Sequence, residues 1–154
     1  MKDFLAEIVS QEPNAFMKRN TAREYLQARI LQALQDQGAF LTWAFVGGTA
    51  LRFLFRMPRY SEDLDFSLVG PRGKRSFTQL MRKVRLAFES EGYGTEVKIK
   101  DQGAVKSGLI KFKGVLSELG LSPRQEQILS VRVEIDTNPP AGAKMIEASI
   151  STPG

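Results

Sequence analysis

The stretch FVGGTALRFLFRMPRYSEDLDFSLVG, residues 45–70, decides how the rest of the chain is read. A short apolar run stops at two adjacent glycines, Gly47 and Gly48, and Thr49 follows them. Leu51, Leu54 and Phe55 then recur at helical spacing until Pro58, whose ring disfavours helix in the residue before it. The glycine pair therefore stands at a strand-to-helix turn. Beyond it, Asp63 to Val69 alternates, with Leu64, Phe66 and Leu68 pointing one way and Asp63, Asp65 and Ser67 the other. Two carboxylates thus lie on one side of a strand whose other side is apolar.

Upstream, NTAREYLQARILQALQDQG places Thr21 and Glu24 in capping-box spacing and carries Leu26, Ile30, Ala33 and Leu34 on one face. This predicts a helix that opens near Thr21 and ends at Gly38. Leu41 to Val46 is short, apolar and β-favouring, as a central strand would be. Downstream, Phe77, Leu80, Met81, Val84, Ala87 and Phe88 mark a second amphipathic helix ending at Gly92. The texture then changes to strands, expected at residues 95–100, 107–118, 128–137 and 144–151. The order predicts an α+β (mixed α/β) fold: a mixed, largely antiparallel sheet with helices on one side. With no linker or repeat, residues 1–154 read as one domain, with a helical start (1–40) and a core (41–154).

Composition limits the chemistry. The 154 residues are 42% hydrophobic and 25% charged, an ordinary globular balance. No cysteine and no histidine are present. Thiolate chemistry, imidazole acid–base catalysis and the commonest transition-metal ligands are therefore excluded, and any metal must be hard and held by oxygen. No apolar run approaches the roughly 18 residues of a membrane helix, and the first residues lack a secretory leader, so the expected location is the cytoplasm. The net charge of +5 suits a polyanionic partner without proving one.

The strand ILSVRVEIDT alternates again, with Val131, Val133 and Ile135 against Arg132, Glu134 and Asp136. If its polar face adjoins that of Asp63 and Asp65, several carboxylates converge, and their repulsion calls for divalent cations. Two Mg²⁺ ions held by such a set support in-line nucleotidyl displacement. A Gly-Gly turn at a helix start lets backbone N–H groups approach a phosphate, and Thr49 could cap that helix or donate its hydroxyl to the anion. Taken singly, a glycine pair is usually a tight turn and an Asp-x-Asp a solvated strand edge. Their succession, followed by a later acidic strand, is what points to a site. Arg52, Arg56 and Arg59 could hold phosphates or neutralise nearby acids.

These residues resemble the signature of the DNA polymerase β-type nucleotidyltransferases, a glycine-pair turn at a helix start followed by Asp-x-Asp. More closely, GGTALRFLFRMPRYSEDLDF is similar to the AbiEii/AbiGii-type toxin nucleotidyltransferases, and VRVEIDTNPP is similar to that family's second acidic strand. The resemblance implies Mg²⁺-dependent transfer of a nucleotide from an NTP to an RNA acceptor, tRNA in known cases. It also implies a toxin paired with an antitoxin, acting in phage defence. Gly47, Gly48 and Thr49 would then hold the triphosphate, and Asp63 and Asp65 would ligate both metals. Glu134 would be the third carboxylate, with Asp136 its rival, and Arg132 would meet the nucleotide phosphates. Family members continue into a helical C-terminal region, so the chain is expected to be the catalytic part alone. An NTP-binding module without transfer is the alternative, and a metal-dependent phosphohydrolase fits the glycine turn less well. The basic residues Arg72, Lys74, Arg75, Arg82, Lys83 and Arg85 could guide RNA but are spread around a helix, and Lys111 and Lys113 share one strand face.

Overall fold

The computed structural model describes residues 2–55, 62–71, 75–122 and 128–138, without the side chains of Lys2, Leu51, Leu54 and Phe55. Two helices open the chain, α1 (Lys2–Ser10) and α2 (Ala15–Asp36). The expected cap at Thr21 is corrected: Asn14 caps α2, its side chain accepting from the Met17 amide at 2.9 Å. An Asn just before the helix satisfies an amide that would otherwise go unpaired, so the helix starts seven residues earlier. Thr21 lies inside it, donating to Glu12. Gly38 takes a left-handed conformation, and a 3-10 turn at Ala39–Leu41 shortens the expected strand to β1, Trp43–Val46.

Next come α3 (Gly47–Phe55), β2 (Asp63–Leu68), α4 (Phe77–Ser90) and β3 (Gly94–Lys100). Ser76 and Gln79 close a capping box at the start of α4. Strand β4 (Val105–Lys113) is shorter than expected, because Gly114 adopts φ +78 and turns the chain into α5, Val115–Glu118. A left-handed glycine ends a strand as firmly as it ends a helix. The acidic strand β5 spans Leu129–Asp136. The strand expected at 144–151 lies outside the described residues, as do Arg56, Arg59, Arg72 and Lys74.

Among the described residues the fold is α+β, with five α-helices and a five-stranded sheet in the order β1-β2-β5-β4-β3. Every pairing is antiparallel except β2 with β5. One sheet face is closed by α2 and α4. Leu26, Ile30 and Leu34 of α2 and Met81, Val84 and Phe88 of α4 are buried in one cluster with Phe66, Ile110, Phe112, Val131 and Val133. Aromatic rings knit its two ends: Phe45, Phe66 and Trp43 on β1 and β2, and Phe88, Tyr93 and Phe112 beside β4. Burial on this scale, roughly 25 cal/mol per Å² of apolar surface, fixes which side of each strand faces inward. The other face carries the charged residues of β2 and β5. No described helix is long and apolar enough to cross a membrane.

Candidate functional site

The parallel pairing of β2 with β5 builds the site. Its register sets Asp63 beside Arg132, Asp65 beside Glu134 and Ser67 beside Asp136. Because Leu64, Phe66, Val133 and Ile135 are buried on the opposite face, all five charged residues share the polar face. Asp63, Asp65, Glu134 and Asp136 are partly buried, and Arg132 is exposed. The convergence expected from alternation is therefore present in the backbone register.

Asp65 carries the electrostatic consequence. Burial pushes its carboxyl above the ordinary value of 3.8, and the neighbouring charges of Asp63 and then Glu134 push it further the same way. Among the described residues no lysine or arginine forms an ion pair with Asp63, Asp65, Glu134 or Asp136. The same residues contain no group of three or more carboxylates gathered tightly enough to hold one ion. The donor set is chemically right for a hard cation.

The turn between β1 and α3 stands directly against Asp65. Val46 pairs with Asp65 across the antiparallel ladder, and Gly47 follows with φ +81. A Cβ on Gly47 would lie 2.7 Å from Asp65 Oδ2 and 3.2 Å from its Cβ. Only glycine tolerates both the left-handed backbone and this approach. Gly47 and Gly48 are exposed at the N-terminus of α3, where helix amides attract anions.

Thr49 is placed differently from the phosphate contact or cap expected of it. It is fully buried, and its hydroxyl donates to the backbone carbonyl of Asp63. The bond fastens α3 to the first residue of β2, so Thr49 orients the aspartate strand from behind. Arg52 makes two hydrogen bonds to Glu24 of α2, 2.7 Å from Nε and 3.2 Å from Nη2, which docks α3 on the helical layer. Glu62, just before β2, is exposed and lies 3.5 Å from Arg23.

Two contributors were not anticipated. Gln27 is fully buried on α2 and donates from Nε2 to the Glu62 carbonyl at 3.1 Å. Together with Thr49 it holds the entry of β2 from the core side. An amide beside Leu26 on an otherwise apolar face was the available signal, because buried amides are kept only where they have partners. The second is Asn138, whose amide donates to Asp136 Oδ1 at 2.9 Å. Asp136 is thus engaged in its own turn, while Glu134 stands beside Asp65 with no such bond among the described residues.

Comparison with known proteins agrees with this geometry. Residues 29–153 match the family model described as "Nucleotidyl transferase AbiEii toxin, Type IV TA system". Two solved structures share the fold. One, described as a "putative nucleotidyltransferase" from H. pylori, is 22% identical with a TM-score of 0.50, over 75% of this chain and 44% of that one. JHP933 from Helicobacter pylori is 20% identical with a TM-score of 0.53, over 83% of this chain and 50% of that one. The chain spans about half the length of either structure. No curated protein matches the sequence. With the match extending over residues 29–153, the whole polar face included, the chain belongs to the AbiEii nucleotidyltransferase toxin family.

Proposed function

We propose that this chain transfers a nucleotide from an NTP to an RNA acceptor, tRNA by analogy with its family, as the toxin of a toxin–antitoxin pair acting in the cytoplasm in phage defence. The observation that carries the reading is the β2–β5 register, which sets Asp65 beside Glu134 and Asp63 one step away, none of the three in an ion pair among the described residues. Asp63, Asp65 and Glu134 are the residues that would hold two Mg²⁺ ions, with Asp136 less suited because its carboxylate already serves the Asn138 turn. Bound there, such ions neutralise the charge of the triphosphate and of the departing pyrophosphate.

The chain's own groups do the rest. Backbone amides at Gly47 and Gly48 and the positive end of α3 receive the phosphates, and Arg132 approaches them from the β5 side. Glu134 takes the proton of the acceptor hydroxyl. The acceptor oxygen then forms a bond to the α-phosphorus as the bond to pyrophosphate breaks. Thr49 and Gln27 act indirectly, by fixing where β2 begins.

The test is incubation of the chain with Mg²⁺, each labelled NTP in turn and total bacterial RNA, with the products separated on a gel. Label on RNA that disappears on chelation of the metal is the expected result. NTP binding with no labelled RNA would leave a binding module, and pyrophosphate release without labelled RNA would mark a hydrolase.

A further inference from the structure

The polar sheet face continues beyond the carboxylates, and its charge changes sign along the way. Strand β4 pairs with β5 so that Ser107 stands beside Glu134 and Leu109 beside Arg132. Strand β3 in turn sets Lys100 beside Ser107 and Lys98 beside Leu109. Two rows therefore cross the sheet, one running Asp65, Glu134, Ser107, Lys100 and the other Asp63, Arg132, Leu109, Lys98. Glu134 and Lys100 are two strand spacings apart, roughly 10 Å. Lys98 and Lys100 are exposed, and among the described residues neither forms an ion pair.

The same corner holds Lys111 and Lys113 with a single carboxylate, Glu96. Lys113 lies 3.0 Å from Glu96 and holds its carboxyl below the usual range, with Lys111 and Lys98 adding to the effect. One acid among four lysines leaves a surplus of positive charge. It lies on the face opposite α4, whose own cations Arg82, Lys83 and Arg85 project from the helical layer.

We propose that this row is the path of the RNA acceptor, with Lys98 and Lys100 holding backbone phosphates upstream of a 3′ end that reaches Glu134. The inference rests on the nucleotidyl-transfer reading and deepens it. A polyanion whose terminal hydroxyl must lie among carboxylates is repelled there and needs attraction a short distance back. The lysines supply that attraction at the reach of a few nucleotides. Ser107, small and polar, leaves the surface low between the two ends, and Arg132 bridges the change in sign. Contacts of this kind read phosphate rather than sequence, so the track positions any single-stranded end.

The test is equilibrium binding of a fluorescein-labelled, single-stranded oligoribonucleotide with a free 3′ hydroxyl, measured over a range of salt without NTP. The variants are Lys98→Gln/Lys100→Gln and, as control, Arg82→Gln/Arg85→Gln on α4. The β3 pair should weaken binding roughly tenfold or more and lower the salt slope by about 1.4, the loss of two single-strand phosphate contacts. The α4 pair should leave both unchanged, and NTP affinity should survive in the β3 variant. Equal loss in the two variants would reduce the effect to net charge and overturn the track. Unchanged RNA binding in the β3 variant, or lost NTP binding, would overturn it as well. Because no turnover is measured, a chain that binds RNA through β3 yet labels nothing would keep the track and lose the transfer reading.

Discussion

Carboxylates meet two different fates in this molecule. On the helical layer and at the sheet's far edge they are matched: Glu24 with Arg52, Glu91 with Arg29, Glu89 with Arg85, Asp101 with Lys106 and Glu96 with Lys113. On the β2–β5 face, Asp63, Asp65 and Glu134 have no cationic partner among the described residues. Scarcity of cations is not the cause, since the chain carries 22 lysines and arginines against 17 acids. Register is the cause, because it stacks Asp65 on Glu134 and sends the lysines to β3 and β4. The matched pairs have already gained what electrostatics offers the fold. The unmatched set contributes no such gain, which is what sets it apart as a candidate binding site.

Breaking that difference at its centre gives the largest effect. Asp65→Asn removes the residue flanked by both other acids, and nucleotide transfer should fall roughly a thousandfold or more. The metal-free variant should melt at or above the wild-type temperature, since repulsion is relieved. Retained transfer would end the assignment of Asp65 as a ligand. A comparison one strand over sharpens the point. Glu134→Gln should cost nearly as much activity, whereas Asp136→Asn should cost about tenfold or less, because Asp136 already serves its turn. The reverse order in single-turnover rates would make Asp136 the third carboxylate.

Much of this was legible before any coordinates. Alternation alone placed Asp63 and Asp65 together, and Glu134 and Asp136 together, because a period of two leaves no freedom once one face is apolar. Alternation could not say that β5 lies parallel to β2, nor which residues stand side by side. That pairing depends on strands 60 residues apart in the chain, and no local signal encodes it. The bond of the Thr49 hydroxyl is hidden for a related reason: a hydroxyl after a glycine pair suits a phosphate or a cap equally well, and only the packing of α3 on β2 buries it against the Asp63 carbonyl. The start of α2 was misplaced because a capping-box spacing inside a helix looks the same as one at its end, and Asn14 was the stronger cap. Strand β4 was overextended because VLSE continues the apolar texture, whereas the φ of Gly114 does not appear in a pattern of side chains.

Effects on stability are smaller. Gly47→Ala must accept a left-handed backbone and a methyl group 2.7 Å from Asp65 Oδ2, so it should destabilise the fold by about 1–3 kcal/mol. It should also reduce transfer by displacing the carboxylate. A denaturation midpoint equal to that of wild type would show that the turn is not held as described. Glu24→Gln, in the matched region, leaves Arg52 with a weakened partner and should cost about 1 kcal/mol. Its metal affinity, read by magnesium titration of the melting temperature, should be unchanged, in contrast with Asp65→Asn.

The two regions should also answer pH with opposite sign. Asp65 has a folded value above 3.8, so between 3.8 and that value the folded state holds more of the proton than the unfolded state does. Stability contributed by this residue is therefore greatest at low pH and is lost as pH rises through the folded value. Asp101 is held below 3.8, chiefly by the Lys106 ammonium and then by the Thr78 hydroxyl. Its contribution is present above 3.8 and is lost as pH falls through the depressed value. Denaturation midpoints from about pH 3 to pH 7 should therefore separate two variants. Asp65→Asn should gain on wild type as pH rises, while Asp101→Asn should fall further behind it. If the unmatched carboxylates hold magnesium as proposed, the ion should shrink the first difference and leave the second alone. Parallel curves for both variants, with or without magnesium, would mean that the acids of the β2–β5 face are as well compensated as those around them.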